Sequence, residues 1–155
     1  MKYAAMKKAK EERKKLAIAL AFAAYCGTAS AYDDPFLEVT RGMPSCAQPR
    51  APVTTPEQAR MEAHLRSERG TRCYLDGRCR LPNSYQYDAE IIPRVKKAIL
   101  AAGKYGDTTV SVFGQRRWVF LLGCVRSKAQ SRALEDLVKG IDDVERVVNR
   151  LGVSR

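Results

Sequence analysis

Apolar positions recur with two different periods along the C-terminal half of this chain. Ile92, Val95, Ile99 and Ala102 fall three or four residues apart, which is one face of a helix, and Gly103 and Gly106 end it. Asp88 stands where it would cap that helix, unless Pro93 occupies the first turn. Residues 109–113 (Thr-Val-Ser-Val-Phe) read as a strand, Gly114-Gln115-Arg116-Arg117 as a turn, and Trp118 to Val125 as a second strand. Ser127-Lys128-Ala129-Gln130 is a capping box opening a further helix. Ala133, Leu137 and Ile141 line one stripe of it, Leu134 and Val138 lie beside them, and Gly140 is near its end. Val147, Asn149, Leu151 and Val153 then alternate as a third strand. The order predicts an α+β fold: a small αββαβ sandwich over residues 88–155, with two helices packed on a three-stranded sheet. A domain this small buries only about 60% of the surface of its unfolded chain, so an accessory segment or a disulfide would help it.

Upstream the texture changes. Residues 32–54 hold Pro35, Pro44, Pro49 and Pro52 with little hydrophobic period and read as an extended leader. Thr55-Pro56-Glu57 is a helix start, with Thr55 as N-cap, Pro56 in the first turn and Glu57 at the positive end of the dipole. That helix should run to about Arg69 and stop at Gly70. Its charges suit a solvated face, and His64 among them reads as an exposed bystander. A cysteine hairpin follows, so residues 55–87 form a helix-plus-hairpin extension, with Leu81-Pro82-Asn83-Ser84 as a turn.

The first 31 residues read as an address. Lys7, Lys8, Lys10, Arg13, Lys14 and Lys15 precede an apolar run from Leu16 to Tyr25, and Thr28-Ala29-Ser30-Ala31 closes it. This is a signal-peptide pattern with cleavage between Ala31 and Tyr32. About ten apolar residues are too few to span a bilayer, which takes ~20. Two rivals are an uncleaved inner-membrane anchor and a lipidated Cys26, although Tyr25 is the wrong residue to precede a lipidation site. Export implies the periplasm or the outer membrane.

After such cleavage four cysteines remain, Cys46, Cys73, Cys79 and Cys124, and an even number in an exported chain favours disulfides. With Leu75-Asp76-Gly77 as a three-residue hairpin loop and Gly77 at its left-handed position, Cys73 falls opposite Cys79. Zinc is disfavoured, because the spacing is too wide and there is no second pair. Cys46 with Cys124 is the leftover pairing, with a buried free Cys124 as the alternative.

Three stretches resemble the BON domain, a module of bacterial envelope proteins. They are the helix carrying Ile92, Val95 and Ile99, the strand Val119-Phe120-Leu121-Leu122-Gly123-Cys124-Val125, and the end Gly140-Ile141-Asp142-Asp143-Val144-Glu145-Arg146-Val147-Val148-Asn149-Arg150-Leu151. The second fits V-x-L-x-G-x-V and the third G-[VI]-x-x-V-x-x-V-x-N-x-L. The resemblance covers residues 88–154 and implies a non-catalytic module for anionic phospholipid or an envelope partner, in a family that includes osmotic-shock-protection proteins. Many members hold two copies, and one is visible here. The matching positions Val119, Leu121, Gly123, Val125, Gly140, Val144, Val147 and Asn149 determine fold: Gly123 would permit close approach of a helix, and Asn149 would bond local backbone.

Charge then has to be placed. The formal net charge is +11, from 28 Lys+Arg and 17 Asp+Glu, and one His is present. Residues 1–31 carry +5, residues 32–87 about +1 and residues 88–155 +5. A lone His on a charged helix does not make a triad, and Gly103-x-x-Gly106 lacks the context of a phosphate loop, so neither an enzyme nor a cofactor is expected. Arg116, Arg117 and Trp118 cluster at the hairpin between the first two BON-like strands. Two cations beside an interfacial aromatic suit an anionic headgroup, and a polar turn leading into a buried Trp is the plainer reading. Lys96, Lys97, Arg126, Lys128 and Arg132 either extend that patch or are solvated faces. The alternatives are a periplasmic assembly accessory that binds another protein without lipid, and a nucleic-acid binder. Export and the want of an aromatic platform on the strands argue against the last. No small-molecule substrate is expected, and oligomeric state is not legible.

Overall fold

The computed structural model describes residues 34–52 and 54–154. The expected signal segment and its cleavage point, Ala31/Tyr32, lie outside the described residues. The elements are β1 (Phe36–Arg41), α1 (Pro56–Leu75), a 3-10 turn (Ser84–Tyr87), α2 (Asp88–Ala101), β2 (Thr109–Gln115), β3 (Trp118–Val125), α3 (Lys128–Lys139) and β4 (Arg146–Val153). The α+β fold is as expected, but the sheet has four strands, in the order β1-β2-β3-β4. The additional strand comes from the segment read as an extended leader. Phe36-Leu37-Glu38-Val39-Thr40-Arg41 does alternate, with Val39 buried and Leu37 packed on the core, and it pairs antiparallel with β2. Four prolines around so short a run hide that alternation.

β2 and β3 are antiparallel, while β4 lies parallel to β3 after the α3 crossover. Both helices cover one sheet face. Ile91, Ile92, Val95 and Ile99 of α2 and Leu134 and Val138 of α3 meet Val110, Val112, Val119, Leu121 and Val125 in one cluster. Val144 and Val147 pack at its edge. Capping follows the sequence at α3, where Ser127 accepts from the Gln130 amide. The Gln130 side chain, however, accepts from the Arg126 amide rather than closing a box on Ser127. At α1 a full box forms between Thr55 and Gln58.

Two glycines act differently from expectation. Gly123, at φ +116, lies against the β2 backbone, so that a Cβ there would run into the Thr109 carbonyl. Its role is close strand approach, not helix approach. The close helix approach belongs to Gly114, where a Cβ would sit 2.6 Å from Ile92 Cγ1. Gly140 ends α3 as its C-cap. Gly103, at φ +67, follows the C-cap of α2.

α1 does not stop at Gly70. It continues to Leu75, because Gly70 is the bare spot against which the Asn83 side chain packs rather than a terminator. Cys73 is therefore in the last helical turn, and the expected cysteine hairpin is instead a helix end and a turn, with Gly77 at φ +69. Both disulfides are present, Cys73–Cys79 and Cys46–Cys124, with Cα–Cα distances of 5.3 and 6.0 Å. α1 is held to the sheet by a bidentate ion pair in which Arg66 donates to both carboxylate oxygens of Asp34, at 2.6 and 2.8 Å.

Candidate functional site: a cationic aromatic sheet face

The face of the sheet away from α2 and α3 has two halves. Residues after β1 run across one half. Met43 is buried there, its amide donating to Thr109 Oγ1 and its carbonyl accepting from the same hydroxyl. Gln48 donates to Ser111 Oγ at 3.0 Å, and Cys46 is bonded to Cys124 on β3.

The other half is partly exposed. Strand alternation brings Trp118 and Phe120 of β3 to this side, and the parallel register sets Trp118 beside Arg146 and Phe120 beside Val148. Arg116 lies over the Trp118 ring at 5.1 Å and Arg146 at 4.9 Å, so the indole is flanked by two guanidinium groups. Arg150 lies over Phe120 at 5.5 Å, and the Phe120 ring is 5.4 Å from that of Phe113. Trp118 is half-buried, between the headgroup contact and the buried Trp weighed from sequence. Cation–π pairing keeps these arginines extended over the rings while their outer N–H groups stay available to an anion.

Arg117 does not join them. Its guanidinium turns to the helix side, donating to the Asp143 carbonyl at 2.8 Å and to Cys79 Sγ at 3.1 Å, over the Tyr87 ring. The hairpin itself explains the split. Arg116 and Arg117 are the two central residues of a tight turn, with φ of 57° and 66°, values suited to Gly or Asn. Asp88 holds them there. It is 1% exposed, and its carboxylate accepts the Arg116 amide at 2.6 Å and the Arg117 amide at 2.8 Å. The residue read as a helix cap thus binds a turn on the opposite strand pair. Burial pushes its carboxyl up to about 7, against the two backbone donors that favour the charged form.

Sequence reasoning missed Arg146 and Arg150. The signal was available: they alternate out of phase with Val147, Asn149 and Leu151, on the parity that faces away from the core. Lys96 and Lys97 belong to α2 and Lys128 and Arg132 to α3, the helices on the other side of the sheet. Arg126, just before α3, is 3.9 Å from Asp107. His64 is exposed and 3.1 Å from Glu68. Among the described residues no group of three or more His, Cys, Asp or Glu side chains could hold a metal, and no helix is long and apolar enough to cross a membrane.

The αββαβ order over residues 88–153, with Asn149 on the last strand, agrees with the resemblance carried by the sequence. The family model of the BON domain matches residues 87–155. No curated protein matches the chain. BON domains are generally non-catalytic binding modules and their proteins generally envelope-associated, and the pattern positions of this one sit within its fold. Val119, Leu121 and Val125 of the BON domain are wholly buried, and Asn149 ties β4 to α3 through Ser131 and Glu135 while accepting the Leu151 amide. None of them contributes to the partly exposed aromatic face, which this chain builds from the positions in between.

Proposed function

We propose that this chain is an exported bacterial envelope protein whose BON domain attaches to an anionic phospholipid surface through the partly exposed sheet face, in a non-catalytic role in envelope integrity or osmotic stress. The observation that carries the reading is the pair of arginines on one indole, Arg116 and Arg146 over Trp118. A half-buried Trp suits the headgroup layer, and each arginine near such a surface adds about 1 kcal/mol. Export rests on the N-terminal signal pattern and the two disulfides, which persist in an oxidising compartment.

A second reading draws on the same face. Arginines and aromatics on strands also form platforms for single-stranded nucleic acid, and the Arg116, Trp118, Phe120 and Arg150 arrangement supports that reading to a lesser degree. Without an aromatic stripe along the rest of the sheet the platform is a small one, and export removes the chain from that ligand.

Co-flotation of the oxidised chain with phosphatidylcholine vesicles, with and without phosphatidylglycerol, at low and moderate salt, separates these readings. Binding is expected only with phosphatidylglycerol, weakened by salt and lowered roughly 30-fold by Arg116→Ala with Arg146→Ala. Equal binding to both vesicles, or none, overturns the lipid reading. Displacement of the chain from vesicles by a short single-stranded oligonucleotide would favour the second.

A further inference from the structure

Apolar exposure in this molecule is concentrated outside the BON domain. Of the six exposed large hydrophobic side chains among the described residues, Met61, Leu65, Tyr74 and Leu75 lie on α1. Further up that helix the pair His64–Glu68 breaks the stripe, but its last turn presents Tyr74 at 48% and Leu75 at 79% exposure side by side. We propose that this disulfide-closed turn, Cys73 to Cys79, is a second membrane contact, an apolar finger that enters the interfacial layer of an anionic bilayer. The proposal rests on the lipid reading above and adds to it a site that the BON domain does not supply.

Three observations support it. The turn is closed by a disulfide and three of its amides already have partners: those of Asp76, Gly77 and Arg78 donate to the carbonyls of Arg72, Tyr74 and Cys73. Entering a water-poor layer therefore leaves these three donors bonded. A Cβ at Gly77 would meet nothing within 4 Å, so the tip stands clear of the rest of the protein. The finger is also cationic at its base, with Arg69 and Arg72 exposed on α1 and Arg78 at the turn, the latter paired with Asp76 at 2.9 Å. Tyr with Leu above arginines is the composition of an interfacial anchor.

Position completes the case. Cys73 is bonded to Cys79, whose sulfur accepts from Arg117, and Arg117 is flanked in the chain by Arg116 and Trp118. The finger is thus tied, on the helix side, to the same hairpin whose other face carries Arg116 over Trp118. Flat attachment through arginines alone is sensitive to salt, whereas an inserted leucine contributes through apolar burial, which salt does not screen.

The test is vesicle co-flotation of the oxidised full chain as wild type, Leu75→Ser and Leu75→Trp, on phosphatidylcholine vesicles containing phosphatidylglycerol. Leu75→Ser should weaken binding roughly tenfold with an unchanged salt slope, and Leu75→Trp should bind at least as tightly as wild type. At so exposed a position neither change should alter the melting temperature, which is checked in parallel. Wild-type binding with an unaffected Leu75→Ser overturns the finger and leaves the sheet face standing. Loss in both variants overturns it as well, because an indole at a residue that enters the interfacial layer must bind at least as well as leucine. No binding by wild type removes the sheet-face reading and the finger together.

Discussion

Ile92, Val95, Leu121 and Leu134 lie wholly out of water in one apolar cluster, whereas α1 reaches the rest of the molecule through an Arg66–Asp34 ion pair and an Asn83 side chain seated on Gly70. The BON domain is thus held mainly by hydrocarbon, and the segment before it by charge pairs, two sulfur bridges and a strand pairing through which Val39 and Leu37 join the core. Burial of apolar side chains imposes a period on the sequence, while a disulfide, a salt bridge or a bare glycine involves single residues and imposes none. The first kind of region can be removed only by unfolding. The second can be loosened piece by piece while the first persists.

The largest effect should come from within the cluster. Leu121→Ala leaves a hole between the sheet and both helices and should cost about 2–5 kcal/mol, with the whole chain losing its cooperative transition at lower denaturant. If denaturant melting of this variant showed the BON domain as firm as before, apolar burial would not be what holds it. The bridge comes next. Cys46→Ser with Cys124→Ser opens a sequence separation of 78 and should cost about 2–4 kcal/mol. Here the signature is local as well: faster amide exchange concentrated around Met43 to Gln48, with α2 and α3 still protected. Uniform acceleration would mean that the covering segment and the BON domain are a single unit.

The smallest effect lies at the junction of the two regions. Since the Asp88 carboxyl is lifted from its ordinary 3.8 to about 7 by burial, the folded chain binds a proton that the unfolded chain has released across that interval. Its contribution to stability is therefore present at pH 4 and declines as pH rises towards 7. Asp88→Asn should abolish that slope and cost about 1–3 kcal/mol, because an amide offers one acceptor oxygen to two turn N–H groups. Glu38 and Glu135, held below their usual range mainly by hydrogen bonds from Arg41 and Lys139, act in the opposite sense at the acid end. A wild-type stability profile flat from pH 4 to 7 would contradict the Asp88 assignment.

What could be read from residues alone follows the same division. The stripes of α2 and α3, the two long strands and the N-caps Thr55 and Ser127 were legible because each is a periodic or local signal. β1 was hidden by its flanking prolines, and the end of α1 by a glycine whose neighbour is distant in sequence. The disulfide of Cys73 with Cys79 was legible although its expected hairpin is a helix end, since a sequence separation of six brings the sulfurs together in either geometry. At the sheet face, Arg116 and Trp118 were visible as neighbours. Arg146 became part of the site only through a parallel pairing with β3, and Arg117 left it because both turn residues adopt left-handed conformations.

β4 is a terminal strand of the sheet, with its outer margin uncovered by any other strand. Such margins invite the addition of a strand from another molecule, which is how soluble proteins begin to form fibrils. Here the Asn149 side chain already occupies the Leu151 amide, and exposed Arg146 and Arg150 add like charge to any stacked copy. Where copies of the chain are concentrated, those three side chains favour separate molecules over a growing sheet.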